Sequence, residues 1–129
     1  MINAEVSFGK GHYIARVQGH AEFAPKGQDI VCAGVSALTM ALHKAVTDTV
    51  GENDAERYSI KIDEGQFGIL VADVCDSKKE EMLDAFFSMF DKGISQIEKE
   101  YPGYISVLRI IFSDQDEYDG TSEQTMEIE

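Results

Sequence analysis

Apolar and polar residues alternate from Ile2 to Phe8, with Ile2, Ala4, Val6 and Phe8 on one side and Asn3, Glu5 and Ser7 on the other. A period of two predicts a half-buried β-strand. Gly9-Lys10-Gly11 supplies turn residues, and a second run sets Tyr13, Ala15 and Val17 against Arg16 and Gln18, so the two runs are expected to pair as a hairpin. If strand geometry persists to residue 20, His20 falls on the Arg16 and Gln18 side, away from the core. The period then changes. Val31, Val35, Leu38, Leu42, Val46 and Val50 recur at spacings of three and four, which predicts a helix with Asp29 as N-cap and Gly51 as its stop. Ala33, Gly34, Ala37, Ala41 and Ala45 are small, so this helix is expected to lie close to a sheet.

Beyond a polar segment, residues 52–57, the runs 58–64 and 67–74 around Gly65 read as a second hairpin. Its later strand is apolar on both faces (Ile69 and Val71, Leu70 and Ala72), which suggests a central place in the sheet. Ser77-Lys78-Lys79-Glu80 has the form of a capping box and opens a helix that runs to about Tyr101, where Pro102-Gly103 ends it. Leu83, Phe86, Phe87, Phe90, Ile94 and Ile97 form its stripe, widened by Met82 and Met89. The extra width suits either a broad core face or a dimer contact. A last strand spans residues 104–112. The order β-β-α-β-β-α-β predicts an α+β fold, a mainly antiparallel sheet with two helices packed on it.

Composition narrows the class. A chain of 129 residues with 43% hydrophobic content is expected to form one domain, residues 1–112. The tail, residues 113–129, holds Asp114, Asp116, Glu117, Asp119, Glu123, Glu127 and Glu129 with no basic residue, and is expected to be disordered. It carries seven of the 13 net negative charges, and the remainder of the chain is acidic too. Such a surface repels nucleic acid and anionic membrane and attracts basic proteins. No secretory signal is apparent and no stretch reads as a membrane helix, so a cytoplasmic protein is expected. Cys32 and Cys75 are then free thiols.

The candidate chemistry lies between Gly19 and Ser36. Cys32 falls at the third position of the first helix, where unpaired backbone N–H groups and the helix dipole favour the thiolate. His20, across the loop of residues 20–28, is a candidate base. Asp29 disfavours a nearby anion unless its carboxylate is occupied in capping or in orienting His20. The amides of Cys32 and Ala33 are candidate oxyanion donors, and Ser36, one turn on, could support the site or merely bond to its own helix. A plainer reading stands beside this one: a cysteine on an apolar helix face is commonly an inert small hydrophobe. A zinc site from His20, Asp29, Cys32 and Cys75 lacks close ligand pairs, so no metal and no cofactor is expected. His12 and His43 read as surface residues, and Cys75 as packing at a strand end.

Gly19-His20-Ala21 followed by Asp29-Ile30-Val31-Cys32-Ala33-Gly34-Val35-Ser36-Ala37 closely resembles the signature of the ribosomal-processing cysteine protease family, Prp. The resemblance runs over about residues 1–112 and includes Glu-Tyr-Pro-Gly-Tyr-Ile near the end of the domain. It implies a thiol protease, a hydrolase with His20 and Cys32 as catalytic dyad, Asp29 and Ser36 in support and Gly19 as a loop hinge. It further implies removal of the N-terminal extension of the twenty-seventh large-subunit ribosomal protein during ribosome biogenesis, after an apolar residue and ahead of a lysine-containing segment, by a homodimer. The acidic tail and the loop from Glu22 to Gln28 depart from the family pattern. Two other classes fit the residues less well: a non-catalytic ribosome-assembly module that holds a basic partner on its acidic surface, and a thiol enzyme of another type, such as a thioesterase.

Overall fold

The computed structural model describes residues 1–112 apart from Lys26 and Glu64, together with the backbone of residues 127 and 128. The expected tail lies outside the described residues except for that short piece. Strands β1 (Ile2–Gly9) and β2 (His12–Gln18) pair antiparallel with Phe8 opposite Tyr13. Their two-residue turn has Lys10 at φ 55 and Gly11 at φ 80, the left-handed pair that matches strand twist in a tight hairpin. Helix α1 spans Ile30–Thr49 and ends on Val50, one residue before the expected glycine stop. A single 3₁₀ turn, Glu52–Asp54, leads straight into β3 (Ala55–Asp63), which therefore begins three residues earlier than its alternation suggested. Strand β4 (Gln66–Val74), helix α2 (Ser77–Glu100) and β5 (Ile105–Ile111) follow, and β6 (Glu127–Ile128) pairs antiparallel with Leu108 and Arg109.

The sheet order is β3-β4-β2-β1-β5-β6, with β1 and β5 parallel and every other pair antiparallel. The architecture is thus the expected α+β one, while β4, expected at the centre of the sheet, lies second from its edge between β3 and β2. One sheet face carries Ile2, Ala4, Val6, Tyr13, Ala15, Ile69, Val71 and Val107, all buried. Phe87 of α2 lands on it, 5.2 Å between ring centroids from Tyr13 and 6.4 Å from Phe8. Fully burying such a side chain is worth about 1.5–3 kcal/mol. The Tyr13 hydroxyl shares its single proton between Asp84 Oδ1 at 2.5 Å and the Glu80 carbonyl oxygen at 3.0 Å. Burial, then Asp84 and Glu80, hold that hydroxyl un-ionised far above its ordinary range. Toward the far end of β5, Arg109 donates Nε and Nη2 to the two Asp91 oxygens at 2.8 and 2.7 Å, which ties α2 to the sheet.

Three expectations need correction here. The α2 cap is Asp76, because it stands one residue ahead of the helix in extended backbone and its carboxylate reaches the first-turn amides of Lys78 and Lys79; Ser77 is the first helical residue. The small residues of α1 do not face the sheet. Ala33, Ala37 and Ala41 are exposed, while Gly34 meets Ile97 and Leu38 meets Gly93, so the close approach is between the two helices. Finally, α1 is long and apolar enough, by length and composition, to cross a membrane. Here its stripe of Val31, Val35, Leu42 and Val46 is buried in the core.

Candidate active site

Two elements end at the same place. Strand β2 stops at Gln18, and Gly19 takes φ +103 while donating its amide to the Gly65 carbonyl at 3.1 Å. A Cβ on Gly19 would fall 2.5 Å from the Met1 carbonyl oxygen, so glycine is required here for space as well as for conformation. This kink ends the strand geometry on which the parity reading of His20 rested. The imidazole instead lies against the β3–β4 turn, where a Cβ on Gly65 would sit 3.4 Å from Nε2. It is exposed, yet it borders a cleft walled by core-side residues, not the outer face carrying Arg16 and Gln18.

Helix α1 begins beside it. Asp29 is the N-cap, as its short acceptor side chain favours: Oδ1 takes the Cys32 amide at 3.0 Å, and Oδ2 reaches back to the Phe23 amide at 3.0 Å. Partial desolvation works against the charge, but the amides of Cys32, Phe23 and Ala24 and the Cys32 thiol outweigh it and hold the Asp29 carboxyl below its ordinary range. The carboxylate is therefore occupied. The Ala33 amide donates to the Asp29 carbonyl at 3.0 Å. Both amides named as oxyanion donors are thus engaged by Asp29, which corrects that expectation. The donor that faces the sulfur is another one: the amide of Ala21 lies 3.3 Å from Cys32 Sγ.

Cys32 is half-buried and stands between two depressions. One, about 290 Å³, is largely apolar, lined by Ile2, Val17, Val35 and Phe67 with the exposed Met40 and Ile62 also on its wall. The other, about 740 Å³, is lined by Glu22, Ala24, Gln28, Asp29 and Ile30 among others. His20, Cys32 and Ser36 border both. A chain crossing the sulfur would have a mainly apolar depression on each side, with Asp63 on the wall of the first and Glu22 and Asp29 on that of the second. Among the described residues the Ser36 hydroxyl has no hydrogen-bond partner, while the Ser36 carbonyl accepts the Thr39 hydroxyl at 2.9 Å. Cys75 is exposed, not packed, because β4 ends just before it, and it sits at the far end of that strand from Gly65. It is remote from the other three residues of the zinc alternative. Ala21 and Gly65 were not singled out beforehand as site residues; one acts through its backbone and the other across a long-range contact, neither of which leaves a side-chain signal.

A protein-family model described as cysteine protease Prp matches residues 1–106. Among solved structures, the ribosomal processing protease Prp from S. aureus with a covalently linked product peptide is similar at TM-score 0.64 and 26% identity, covering 84% of this chain and 99% of that one. The same protease with a substrate peptide gives TM-score 0.63 at 26% identity, with the same coverage. A Streptococcus mutans protein gives TM-score 0.62 at 28% identity, over 87% of this chain and 96% of that one. No curated protein sequence matches the chain.

Proposed function

The chain belongs to the cysteine protease Prp family, and from that premise we propose that Cys32 is the nucleophile and His20 the general base of a peptide-bond hydrolysis. The observation that carries this reading is the position of Cys32, in the first turn of α1 at the border of two clefts that His20 also lines. Sγ attacks the scissile carbonyl carbon as His20 takes the thiol proton. The Ala21 amide, already directed at the sulfur, is placed to meet the oxyanion, a role worth about 3–4 kcal/mol per donor. The C–N bond then breaks, His20 protonates the leaving amine, and water, deprotonated by the same imidazole, releases the acyl group.

For a substrate we propose the N-terminal extension of a basic large-subunit ribosomal protein, the twenty-seventh, with the residue before the cut in the cleft of Ile2, Val17 and Phe67. The S. aureus relatives are ribosomal processing enzymes, and the net charge of −13 favours a basic partner. We place the reaction in the cytoplasm, carried out by a homodimer; the exposed Met82 and Met89 on α2 support a second surface. Incubation with a peptide spanning the junction of extension and mature chain tests the assignment: the wild type should cut it, and Cys32→Ala should not. Cleavage that survives the substitution removes Cys32 from the mechanism.

A further inference from the structure

Phe23, in the loop between β2 and α1, lies edge-on to two tyrosines far away in the chain. Its ring centroid is 5.6 Å from that of Tyr101, at 84° between planes, and 5.0 Å from that of Tyr104, at 76°. Such edge-to-face geometry is the favoured one for aromatic pairs. Tyr101 is the C-cap of α2, and Tyr104 immediately precedes β5. The slot they form is itself fixed. The Tyr104 amide donates to the Tyr101 carbonyl at 3.3 Å, the Tyr104 carbonyl accepts the Ile2 amide at 3.0 Å, and the Tyr101 amide closes the helix on Ile97 at 2.9 Å.

From this slot a short path leads to the sulfur. The Phe23 amide donates to Asp29 Oδ2, and Asp29 Oδ1 holds the Cys32 amide. In the other direction along the chain, Glu22 takes φ +60, a conformation that a residue with a side chain adopts where its surroundings impose it. Then come Ala21, whose amide reaches Sγ, and His20. Phe23 is still 37% exposed, so its place is not explained as ordinary core burial. We infer that Phe23, Tyr101 and Tyr104 form an aromatic anchor that sets the position of this loop, keeping the Ala21 amide on the Cys32 sulfur and His20 at the edge shared by the two clefts. All three are positioning residues, acting through Ala21 and His20. The inference rests on the reading of Cys32 as nucleophile.

The test compares the full-length wild type with Phe23→Ala, Phe23→Tyr, Tyr104→Ala and the double alanine variant. Two readouts are needed: steady-state cleavage of the junction peptide, and the pH profile of Cys32 alkylation by iodoacetamide, which needs no peptide. Displacing groups around a reacting atom by about an ångström is enough to lower the rate tenfold or more, so Phe23→Ala should reduce kcat by at least about tenfold with little change in KM. Its Cys32 should also be alkylated more slowly at neutral pH, since an amide donor to the sulfur is displaced. Phe23→Tyr should restore both. The double variant should be no worse than the worse single one, as expected of residues that work as a unit. An unchanged kcat and alkylation profile in Phe23→Ala, a gain in kcat, or a change confined to KM each overturns the anchor while leaving the protease assignment standing. If the wild type itself neither cleaves nor alkylates at Cys32, it is the protease assignment that fails.

Discussion

The amide nitrogen of Ala21 lies 3.3 Å from Cys32 Sγ, so the residue that follows the candidate base donates a hydrogen bond to the candidate nucleophile. Loop and helix are thereby joined at the Cys32 sulfur. Among the described residues no hydrogen bond links the imidazole of His20 to the thiol, although both border the same clefts. Catalytic contacts of this kind commonly tighten only once substrate is bound. The two stabilising influences on the sulfur are therefore separable. His20→Gln should lower peptide cleavage by about 10²–10⁴, the usual contribution of a general base. Alkylation of Cys32 by iodoacetamide should fall far less, because the Ala21 amide and the helix start remain. Measuring both rates on one preparation checks this, and equal losses would place His20 in control of the resting thiol as well.

Gly19 has a steric duty separate from any hinge motion. With φ at +103 and the Met1 carbonyl oxygen 2.5 Å from where a Cβ would stand, Gly19→Ala must move either the loop or the N-terminal strand. A side chain forced into such backbone geometry costs about 1–3 kcal/mol. The urea midpoint should fall accordingly, with cleavage reduced in the folded fraction as His20 shifts. An alanine variant as stable as the wild type but inactive would favour the hinge.

Asp29 couples acidity to the site. Its carboxyl is held below the ordinary range, despite some desolvation, by the amides of Cys32, Phe23 and Ala24 and by the Cys32 thiol. A depressed folded-state value means the ionised form is favoured by folding. The stabilisation is then fully present above the ordinary carboxylate range and is lost as pH falls through the depressed value. Asp29→Ala should lower the urea midpoint at pH 7, and the gap from wild type should narrow without closing in strong acid, where the protonated carboxyl still offers an oxygen to the α1 amides. Asp29→Asn should fall between the two, since an amide oxygen can still cap α1 while the charge is gone. Midpoints measured from pH 7 down to pH 2 decide the matter.

Much of this architecture was legible because its elements obey local rules. Alternation in residues 2–18, the Lys10-Gly11 turn and the Asp29 cap all depend on neighbours within a few positions, and each stands where the residue pattern puts it. The parallel contact of β1 with β5 depends on no such rule, since periodicity says which face of a strand is buried and nothing about its partner. His20 and Cys32 could be singled out by residue type and by the helix start. The side on which His20 emerges could not, because one positive φ at Gly19 cancels the parity count. Gly65 and Tyr104 enter the site region only through the folded chain. The first supports the imidazole and the second supports Phe23, from elements distant in sequence.

The ion pair between Asp91 and Arg109 separates stability from activity. Asp91 is 2% exposed and accepts both guanidinium contacts, which bind α2 to β5. Arg109 stands opposite Val6, whereas the clefts open beside Ile2 and Gly19, toward the other end of β1. Asp91→Ala takes from the Arg109 guanidinium the carboxylate that accepts both Nε and Nη2, and breaking such a buried pair typically costs about 3–5 kcal/mol. Replacing both members with apolar residues, Asp91→Leu with Arg109→Met, removes the charge together with its desolvation, and such exchanges are frequently neutral or better. The single variant should therefore unfold at much lower urea, the double one near the wild-type midpoint. Both should retain the wild-type kcat under conditions where they are folded. A lowered kcat in the folded double variant would show that the α2–β5 junction governs the site directly, through the Tyr101 and Tyr104 slot at the near end of the same two elements.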